Sequence, residues 1–494
     1  MSSSTRGAAI VAAICALTCA NASAATYVVG KTADDAGTDP CTVAANCSLR
    51  SAITDANNNS GADAITLGAG TYSVGSLEPS ITQGLTITGA GARSTAIDGG
   101  GASQGILDIN TTDPVAVADL RIQHAAQGEV TGAAIFVQNA APLTLTRVAI
   151  VDNSGMALFA NGGVIQIFDS LVARNTALAI GGLANSSDQS LMLISSSTIA
   201  NNTALPAGAG GPVAVAGGFS NRGATTIVDS TIAGNRIAGG AIAIGGDNII
   251  SQASNGSSLG ILRLINTIVG DASANGNCSG PIQSGGHNLD SDGTCGLGAG
   301  TDVSNVDPLL AALADNGGPT DTRALTVNSP AVDAGAGCAA TDQRGVARPA
   351  GRACDIGAFE SPFTAPVPVV TPPVTPPTNT PAADTTPPQL TVSGIGKTVR
   401  RRTFNRGLKV RIGANEPITA ELLLLAQPRR VTIAKVPMVA LATTTLSRGG
   451  GTRTVTLKPS PKVGGKRKVK MRLQVIAYDA AGNRSAMTVS FTVK

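Results

Sequence analysis

The sequence repeats a nine-residue stretch that reads Ile227-Val228-Asp229-Ser230-Thr231-Ile232-Ala233-Gly234-Asn235. The same order of residue types returns as Ile167-Phe168-Asp169-Ser170-Leu171-Val172-Ala173-Arg174-Asn175, and weaker copies occur elsewhere. With Asp229 as the reference residue, the copies are centred on positions 89, 119, 147, 169, 196, 229 and 266. Successive centres lie 30, 28, 22, 27, 33 and 37 residues apart, a period typical of solenoid proteins.

Aliphatic columns run through these copies. Two residues before each centre lie Ile87, Val117, Leu145, Ile167, Ile194, Ile227 and Leu264, and three residues after the later centres lie Ile122, Ile150, Val172, Ile199, Ile232 and Val269. A column four residues before the centre is also apolar, except at Thr225. The columns at −4 and −2 share one face of a short strand because side chains alternate. The step to +3 breaks this alternation, so a bend must separate two strands.

These columns predict an all-β solenoid of parallel coils with stacked aliphatic side chains inside and insertions expelled as loops, about eight to ten coils in all. The spacing is too irregular for leucine-rich repeats, and no helical periodicity separates the strands. An irregular array of β-sandwiches is the alternative, and it would place Ile150, Val172, Ile199 and Ile232 far apart.

Residues 1–24 have the composition of a secretory signal peptide. Arg6 precedes an apolar run over residues 8–20, and the small residues Ala22-Ser23-Ala24 follow. The apolar run is too short to span a bilayer, and no later stretch is long and apolar enough to do so. We therefore expect cleavage after Ala24 and a secreted, extracellular protein that is not membrane-spanning.

Six of the eight cysteines follow this segment and form three pairs that are close in sequence. The pairs are Cys41 with Cys47, Cys278 with Cys295, and Cys338 with Cys354. Six cysteines allow 15 connectivities, so these pairings are expectations from proximity. An exported chain favours disulfides. A zinc site is disfavoured because the chain has no Cys-x-x-Cys and only two histidines.

Charge divides the mature chain into three parts. Residues 25–360 carry 13 basic and 27 acidic side chains, a net charge near −14. Residues 384–494 carry 21 basic and 4 acidic side chains, a net charge near +17. Between them, residues 361–383 form an uncharged Pro/Thr-rich linker that favours an extended conformation. The sequence thus predicts a β-helix domain, a linker and a basic C-terminal domain.

The basic domain alternates apolar and polar residues over 390–392, 408–412, 454–457 and 471–476, which predicts half-exposed strands. Its turn Tyr478-Asp479-Ala480-Ala481-Gly482-Asn483 resembles that of bacterial immunoglobulin-like modules, which implies a small antiparallel β-sandwich.

Two basic clusters in this domain, Arg400-Arg401-Arg402 and Lys466-Arg467-Lys468, favour binding of a polyanion such as an anionic cell-wall or extracellular polysaccharide. A solvated basic face is the alternative. We expect no specific nucleic acid partner, because no base-reading motif or stacking aromatic accompanies the clusters.

Two parts of the body resemble a known group of proteins. Cys47-Ser48-Leu49-Arg50-Ser51-Ala52-Ile53 resembles the CSLREA-type motif that opens many secreted bacterial β-helix proteins, with Ser51 where that motif has Glu. Residues 315–320, 329–335, 341–349 and 354–360 are similar to the choice-of-anchor Q region. The resemblance covers about residues 25–360 and implies a right-handed parallel β-helix of the pectin-lyase-like superfamily, without implying an activity. Solenoid ends expose strand edges, so we expect both motifs to be end caps, with Asp342 paired to Arg344.

The sequence carries no strong catalytic signature. Asp169 and Asp229 share the reference position, but Arg147, Ser196 and Asn266 occupy it in other copies, so paired carboxylates for glycoside hydrolysis do not recur. Arginines scatter over different columns, at positions 121, 147, 174, 222, 236 and 263. Ring-stacking aromatics are few, since Trp is absent and only three Tyr occur.

One string suggests a metal. Asn288-x-Asp290-x-Asp292-Gly293 matches the first half of a calcium-binding loop, although Ala299 stands where the loop needs Glu. The string lies between Cys278 and Cys295, where Asp and Gly serve a turn equally well. Calcium is therefore the one cofactor predicted, with a structural turn as the alternative.

We interpret the chain as a secreted, monomeric, non-catalytic β-helix scaffold or adhesin-like surface protein, whose basic C-terminal module binds anionic surface polymers. The alternative is a polysaccharide lyase or glycoside hydrolase that acts on extracellular acidic glycans.

Overall fold

The computed structural model describes residues 24–35, 39–76, 79–101, 105–126, 132–138, 141–206, 215–238, 245–252, 261–363, 386–426, 439–448, 451–459, 468–478 and 484–494. The predicted signal peptide before residue 24 and most of the predicted linker lie outside these residues. The chain divides into two compact units, Met1–Ala365 and Pro366–Lys494.

The first unit is a parallel β-helix built from stacked parallel sheets, as the repeat predicts. Sheet A contains, in order, β1 (Thr26–Val29), β2 (Asp63–Leu67), β4 (Leu85–Thr88), β7 (Val115–Ala118), β10 (Pro142–Thr146), β13 (Val164–Phe168), β17 (Leu191–Ser195), β21 (Ala224–Val228), β25 (Leu262–Ile265) and β28 (Ile282–Ser284). Sheet B contains β3 (Gly70–Ser73), β5 (Thr95–Asp98), β8 (Arg121–Gln123), β11 (Ala149–Val151), β14 (Leu171–Ala173), β18 (Thr198–Ala200), β22 (Thr231–Ala233), β26 (Ile268–Gly270), β29 (Leu289–Asp290) and β30 (Val303–Ser304).

Two smaller parallel sheets and a hairpin complete the unit. Sheet C contains β6 (Leu107–Ile109), β9 (Ala133–Val137), β12 (Met156–Ala160), β16 (Leu183–Asn185), β20 (Phe219–Asn221), β24 (Ile249–Ser251) and β27 (Cys278–Ser279). Sheet D contains β15 (Thr176–Leu178), β19 (Thr203–Leu205) and β23 (Arg236–Ile237), and the antiparallel hairpin joins β31 (Leu310–Ala314) to β32 (Thr322–Leu325).

The stacking of the aliphatic columns is confirmed. Ile150, Val172, Ile199 and Ile232 are successive partners in sheet B, and each side chain is at most 2% exposed. The array of separate sandwiches is therefore wrong for this part of the chain.

The bend between sheets A and B lies at the reference position. Six successive reference residues have positive φ, between 46° and 58°: Asp119, Arg147, Asp169, Ser196, Asp229 and Asn266. A single residue in this left-handed region redirects the chain, and Asp and Asn tolerate it best. This conformation explains why the apolar alternation breaks there and why polar residues occupy the position.

A column of buried asparagines lies between sheets B and C, and each of them except Asn248 directly follows a residue with positive φ. Each side-chain amide donates to the Oδ1 atom of the next asparagine at 2.7–2.9 Å, in the order Asn153, Asn175, Asn202, Asn235, Asn248 and Asn277. We call this column the asparagine ladder. Because each member is at most 1% exposed, the ladder satisfies polar groups that no water reaches.

The N-terminal motif forms an end cap, but as a helix that the sequence analysis did not predict. Helix α1 (Leu49–Asn58) packs against β1 and β2, the first strands of sheet A. Ser48 caps the helix by accepting the backbone N–H of Ser51 at 3.0 Å. The apolar residues at 49, 52, 53 and 56 have helical spacing and could have revealed it.

The expected cap at the other end is wrong. Residues 305–363, called here the return segment, run back along the outer face of sheet B. The Gln343 carboxamide accepts the Thr198 hydroxyl at 2.6 Å, and the Ala358 N–H donates to Thr231 Oγ1 at 3.0 Å. The reason is that sheet B is apolar on its outer face as well: in β11 and β14 all three residues are buried.

Three disulfides cross-link this unit. They join Cys41 to Cys47, Cys278 to Cys295, and Cys338 to Cys354. These are the pairs that sequence proximity favoured, and they indicate an oxidising environment.

The second unit contains two mainly antiparallel sheets around one core. Sheet E contains β33 (Leu390–Ser393), β35 (Leu408–Ala414) and β38 (Gly451–Leu457), and sheet F contains β34 (Thr398–Val399), β40 (Arg484–Val493), β39 (Val469–Tyr478), β36 (Ile418–Ala426) and β37 (Val439–Arg448). Helix α2 (Arg401–Arg406), which was not predicted, lies between β34 and β35. Val410 of sheet E and Leu473 of sheet F share the same buried core.

Candidate polyanion-binding surface

The outer face of sheet E presents two cations on its central strand. In β35, Lys409 and Arg411 are exposed, while the alternating residues Leu408, Val410 and Ile412 are buried. The alternation of a strand therefore holds both cations on the solvent face, roughly 7 Å apart along the chain.

Hydroxyl side chains surround these cations. Arg411 is in register with Ser393 of β33 and with Thr454 of β38, and Lys409 is in register with Thr456. All three hydroxyl residues are exposed. The three strands contain no acidic residue, so nothing within this sheet neutralises the two charges.

The outer face of sheet F carries a similar pair of cations, although β36, the strand on the other side of β39, contains Glu421. Lys470 and Arg472 of β39 are exposed, in register with Thr492 and Ser490 of β40. Neither strand contains an acidic residue. The two faces were not singled out from the sequence, although the alternation of basic and aliphatic residues over 408–412 and 468–473 carries the signal.

The sequence-predicted clusters are placed as follows. Arg400 and Arg402 are exposed at the start of helix α2, where the Arg401 N–H donates to the Lys494 carbonyl at 2.7 Å. Of the second cluster, Lys468 is exposed just before β39, and Lys466 and Arg467 lie outside the described residues. The described members of the two predicted clusters thus belong to one unit, with two exposed at helix α2 and one beside β39.

The calcium string is built into the hydrogen-bonding network of the coils. Asn288 Oδ1 accepts the Thr267 N–H at 3.0 Å. Asp290 ends the asparagine ladder, since it accepts the Asn277 amide at 2.8 Å and the Cys295 N–H at 2.9 Å. Burial raises the pKa of Asp290 against the lowering effect of the Asn277 hydrogen bond.

Asp292 has a comparable role, because it accepts the backbone N–H groups of Asn277 at 2.8 Å and Thr294 at 3.0 Å. The turn alternative accounts for these contacts. Across the parts of the chain that are described, no three or more His, Cys, Asp or Glu side chains are grouped to hold a metal.

Two of the carboxylates at the reference position, Asp169 and Asp229, lie beside the return segment. Asp229 is 2% exposed and accepts the N–H of Ala339 at 2.9 Å and the amide of Asn266 at 3.0 Å. Burial raises the pKa of Asp169 to about 6. Glycoside hydrolysis requires carboxylates in an accessible cleft, and the return segment denies that access to Asp229.

The acidic residue of the return-segment motif is also structural. Asp342 is fully buried, accepts the N–H groups of Val346 and Glu360 at 3.0 and 2.9 Å, and pairs with Arg344 at 2.6 Å. The predicted pairing of Asp342 with Arg344 is confirmed, although it lies along the side of the β-helix and not at its end. The Arg344 guanidinium lies 3.6 Å from the ring centre of Phe359.

Comparisons with known proteins do not identify a family. No family model matches the chain, and no curated protein matches it. Among solved structures, the Geobacillus virus E2 protein ORF18 is 11% identical with a TM-score of 0.22, over 56% of this chain. The chain spans 59% of that protein's length. Among the described residues, no helix has the length and hydropathy to cross a membrane.

Proposed function

We propose that the protein is a secreted, non-catalytic, adhesin-like scaffold of the CSLREA and choice-of-anchor Q type, with a right-handed β-helix body. In this proposal its C-terminal unit, an immunoglobulin-like module, holds the protein to anionic cell-surface or extracellular polysaccharide. The observation that carries the proposal is the repeated Lys–Arg pair on the outer faces of sheets E and F, set among hydroxyls in acid-free strands.

The spacing of these cations suits a linear polymer. Two charges roughly 7 Å apart on one strand can contact successive acidic groups of a polyanion at once, and multivalent contact multiplies weak affinities. The neighbouring Ser and Thr side chains can donate to sugar oxygens. The body, with a net charge near −14, has no such general attraction to a polyanion.

The test uses the full chain on immobilised polygalacturonate, with dextran as the neutral reference polymer. The variants are Lys409→Gln/Arg411→Gln on sheet E and Lys470→Gln/Arg472→Gln on sheet F. The matched control Arg222→Gln/Arg236→Gln removes two exposed arginines from the body, so the change in net charge is the same.

A basic residue near an anionic surface contributes about 1 kcal/mol to binding. Each face variant removes two such residues, so we expect it to bind about 30-fold more weakly. The control should bind like the wild type, and mild salt should release every variant because the contacts are solvent-exposed. Equal weakening by the control, or no binding of the wild type at any salt, would contradict the proposal. Release of reducing or unsaturated ends from the same glycan, with or without calcium, would contradict its non-catalytic part.

A further inference from the structure

A small depression lies on the outer face of sheet B, where the return segment crosses it. Arg93, Arg121 and Arg174 line it, together with residues 319–321 of the return segment, and it opens partly to solvent.

The fold brings the three arginines together from different positions of the coil. Arg121 lies on β8 and points to the outer face, with the small residues Ala96 and Ala149 as its partners in register. Arg93 lies between β4 and β5, and Arg174 follows β14 in the left-handed conformation. The small neighbours leave room above Arg121, which the return segment encloses.

The three guanidinium groups differ in how they are paired. Arg93 bonds to Asp315 and Asp321 at 2.8 and 2.9 Å. Arg174 makes a bidentate pair with Asp152 at 2.8 and 2.9 Å. No described residue makes a hydrogen bond or ion pair with the guanidinium of Arg121, whose Nε atom is buried.

An unpartnered donor of this kind is costly, because a buried N–H that lacks an acceptor keeps its full desolvation penalty. For Arg121 the unpartnered donor belongs to a charged guanidinium, and the ion-paired side chains of Arg93, Arg174 and Asp321 line the same depression. The Nε atom itself is closed to solvent, but the Arg121 side chain is only half-buried, so an oxyanion from solution can accept from its Nη atoms. This end of a guanidinium can bond carboxylate, sulfate and phosphate in bidentate fashion.

We propose that this depression binds a single oxyanion group, with Arg121 as its ligand. Arg93 and Arg174 add no net positive charge, because Asp315, Asp321 and Asp152 pair with them. The single unpaired cation suits one acid group, either as a small anion or as a substituent of a larger glycan. This site lies in the body, so it is independent of the surface proposed for the C-terminal unit.

The test uses the full chain and isothermal titration with sodium glucuronate, sulfate or phosphate against chloride at constant ionic strength. The variants are Arg121→Gln, which removes the charge, and Arg121→Lys, which keeps the charge and loses the planar fork. Arg222→Gln is the matched control, since Arg222 is an exposed arginine that bonds to Gln252 on another side of the body. Circular dichroism checks that each variant is folded.

We expect saturable binding of at least one anion by the wild type and the control. Arg121→Gln should bind at least about tenfold more weakly, since hydrogen bonds to charged groups are lost. Arg121→Lys should also be weaker than the wild type, and it carries the test if Arg121→Gln does not fold. The proposal is overturned if none of the three anions shows saturable binding, or if the Arg121 variants bind as the wild type does.

Discussion

Replacing Asn202 by Ala tests whether the asparagine ladder stabilises the β-helix. Asn202 occupies the middle of the ladder and is fully buried. Its Oδ1 atom accepts the backbone N–H and the side-chain amide of Asn175 at 3.1 and 2.8 Å. Its own amide donates to the Val172 carbonyl at 3.0 Å and to Asn235 Oδ1 at 2.9 Å.

The expected loss follows from the groups that are left without partners. Truncation to Ala leaves two N–H donors of Asn175 without an acceptor, whereas Asn235 Oδ1 still accepts the backbone N–H of residue 202 at 2.9 Å. Each buried unsatisfied donor costs about 1–3 kcal/mol, so Asn202→Ala should lower the free energy of unfolding by about 2–6 kcal/mol.

The assay is urea unfolding at neutral pH with the disulfides intact, combined with amide hydrogen exchange of residues 171–178. Asn161→Ala is the matched control, because Asn161 is exposed in the turn between β12 and β13, and its change should stay within about 0.5 kcal/mol. Faster exchange should be local to the Asn175 amide and its neighbours. If Asn202→Ala and Asn161→Ala lower stability equally, the ladder contributes nothing and the reasoning is refuted.

Asn202→Asp tests the directions of these hydrogen bonds through the pH dependence of stability. The new carboxyl group still accepts from Asn175, but in its ionised form it cannot donate to Asn235 or Val172. Burial should raise its folded-state pKa above the unfolded value of about 3.9. Its deficit relative to the wild type should therefore shrink as the pH falls from 7 to 4, and a deficit that grows instead would contradict the proposed hydrogen-bond directions.

Four further outcomes are expected. Burial raises the pKa of Asp169 to about 6, so the stability that its protonated carboxyl contributes is fully present below the unfolded pKa and is lost as the pH rises through 6. Asp169→Asn should remove this decline, which urea unfolding at pH 5 and pH 8 would measure. Identical pH profiles of the variant and the wild type would count against it. Arg121→Met should raise the free energy of unfolding by about 1 kcal/mol, since it removes a partly buried unpaired cation, and no gain would contradict this. Replacing Cys338 and Cys354 together by Ser should lower the free energy of unfolding by about 3 kcal/mol, as should reduction of that bridge, and an unchanged value would refute its role. Calcium or a chelator should leave the melting temperature unchanged, because the two carboxylates within residues 288–292 already accept protein N–H groups. A melting temperature that rises with calcium would support the metal site instead.

The repeating core could be predicted from the sequence, because a narrow solenoid interior forces the same side-chain type onto the same coil position. The columns through Ile150 and Ile167 needed only local spacing to be recognised. The left-handed bend was visible only as a break in alternation, because φ is not a property of residue type when Arg147 and Asp169 both adopt it.

The path of the return segment could not be predicted in this way. Arg93 contacts Asp321 across 228 positions of sequence, and a contact of that range leaves no periodic signal. The one local hint is that β11 and β14 are apolar at three consecutive residues, which indicates burial on both faces.

Prediction of the candidate sites from the sequence was limited in the same way, because contacts between distant residues leave no local pattern. Arg121 and Arg174 occupy different coil positions and therefore looked scattered, until sheet B and the return segment placed them around one depression. Asp290 is ambiguous for another reason, since a carboxylate that ends an asparagine column is the same residue type that a calcium loop requires.

The return segment also constrains how this fold can evolve. In an ordinary solenoid each repeat touches only its neighbours, so whole repeats can be inserted or deleted. Here one strap spans many successive windings, and an added winding would displace its later anchor points by about 4.8 Å relative to the earlier ones. The number of windings and the length of the strap are thus matched, and neither can change unless the other changes with it.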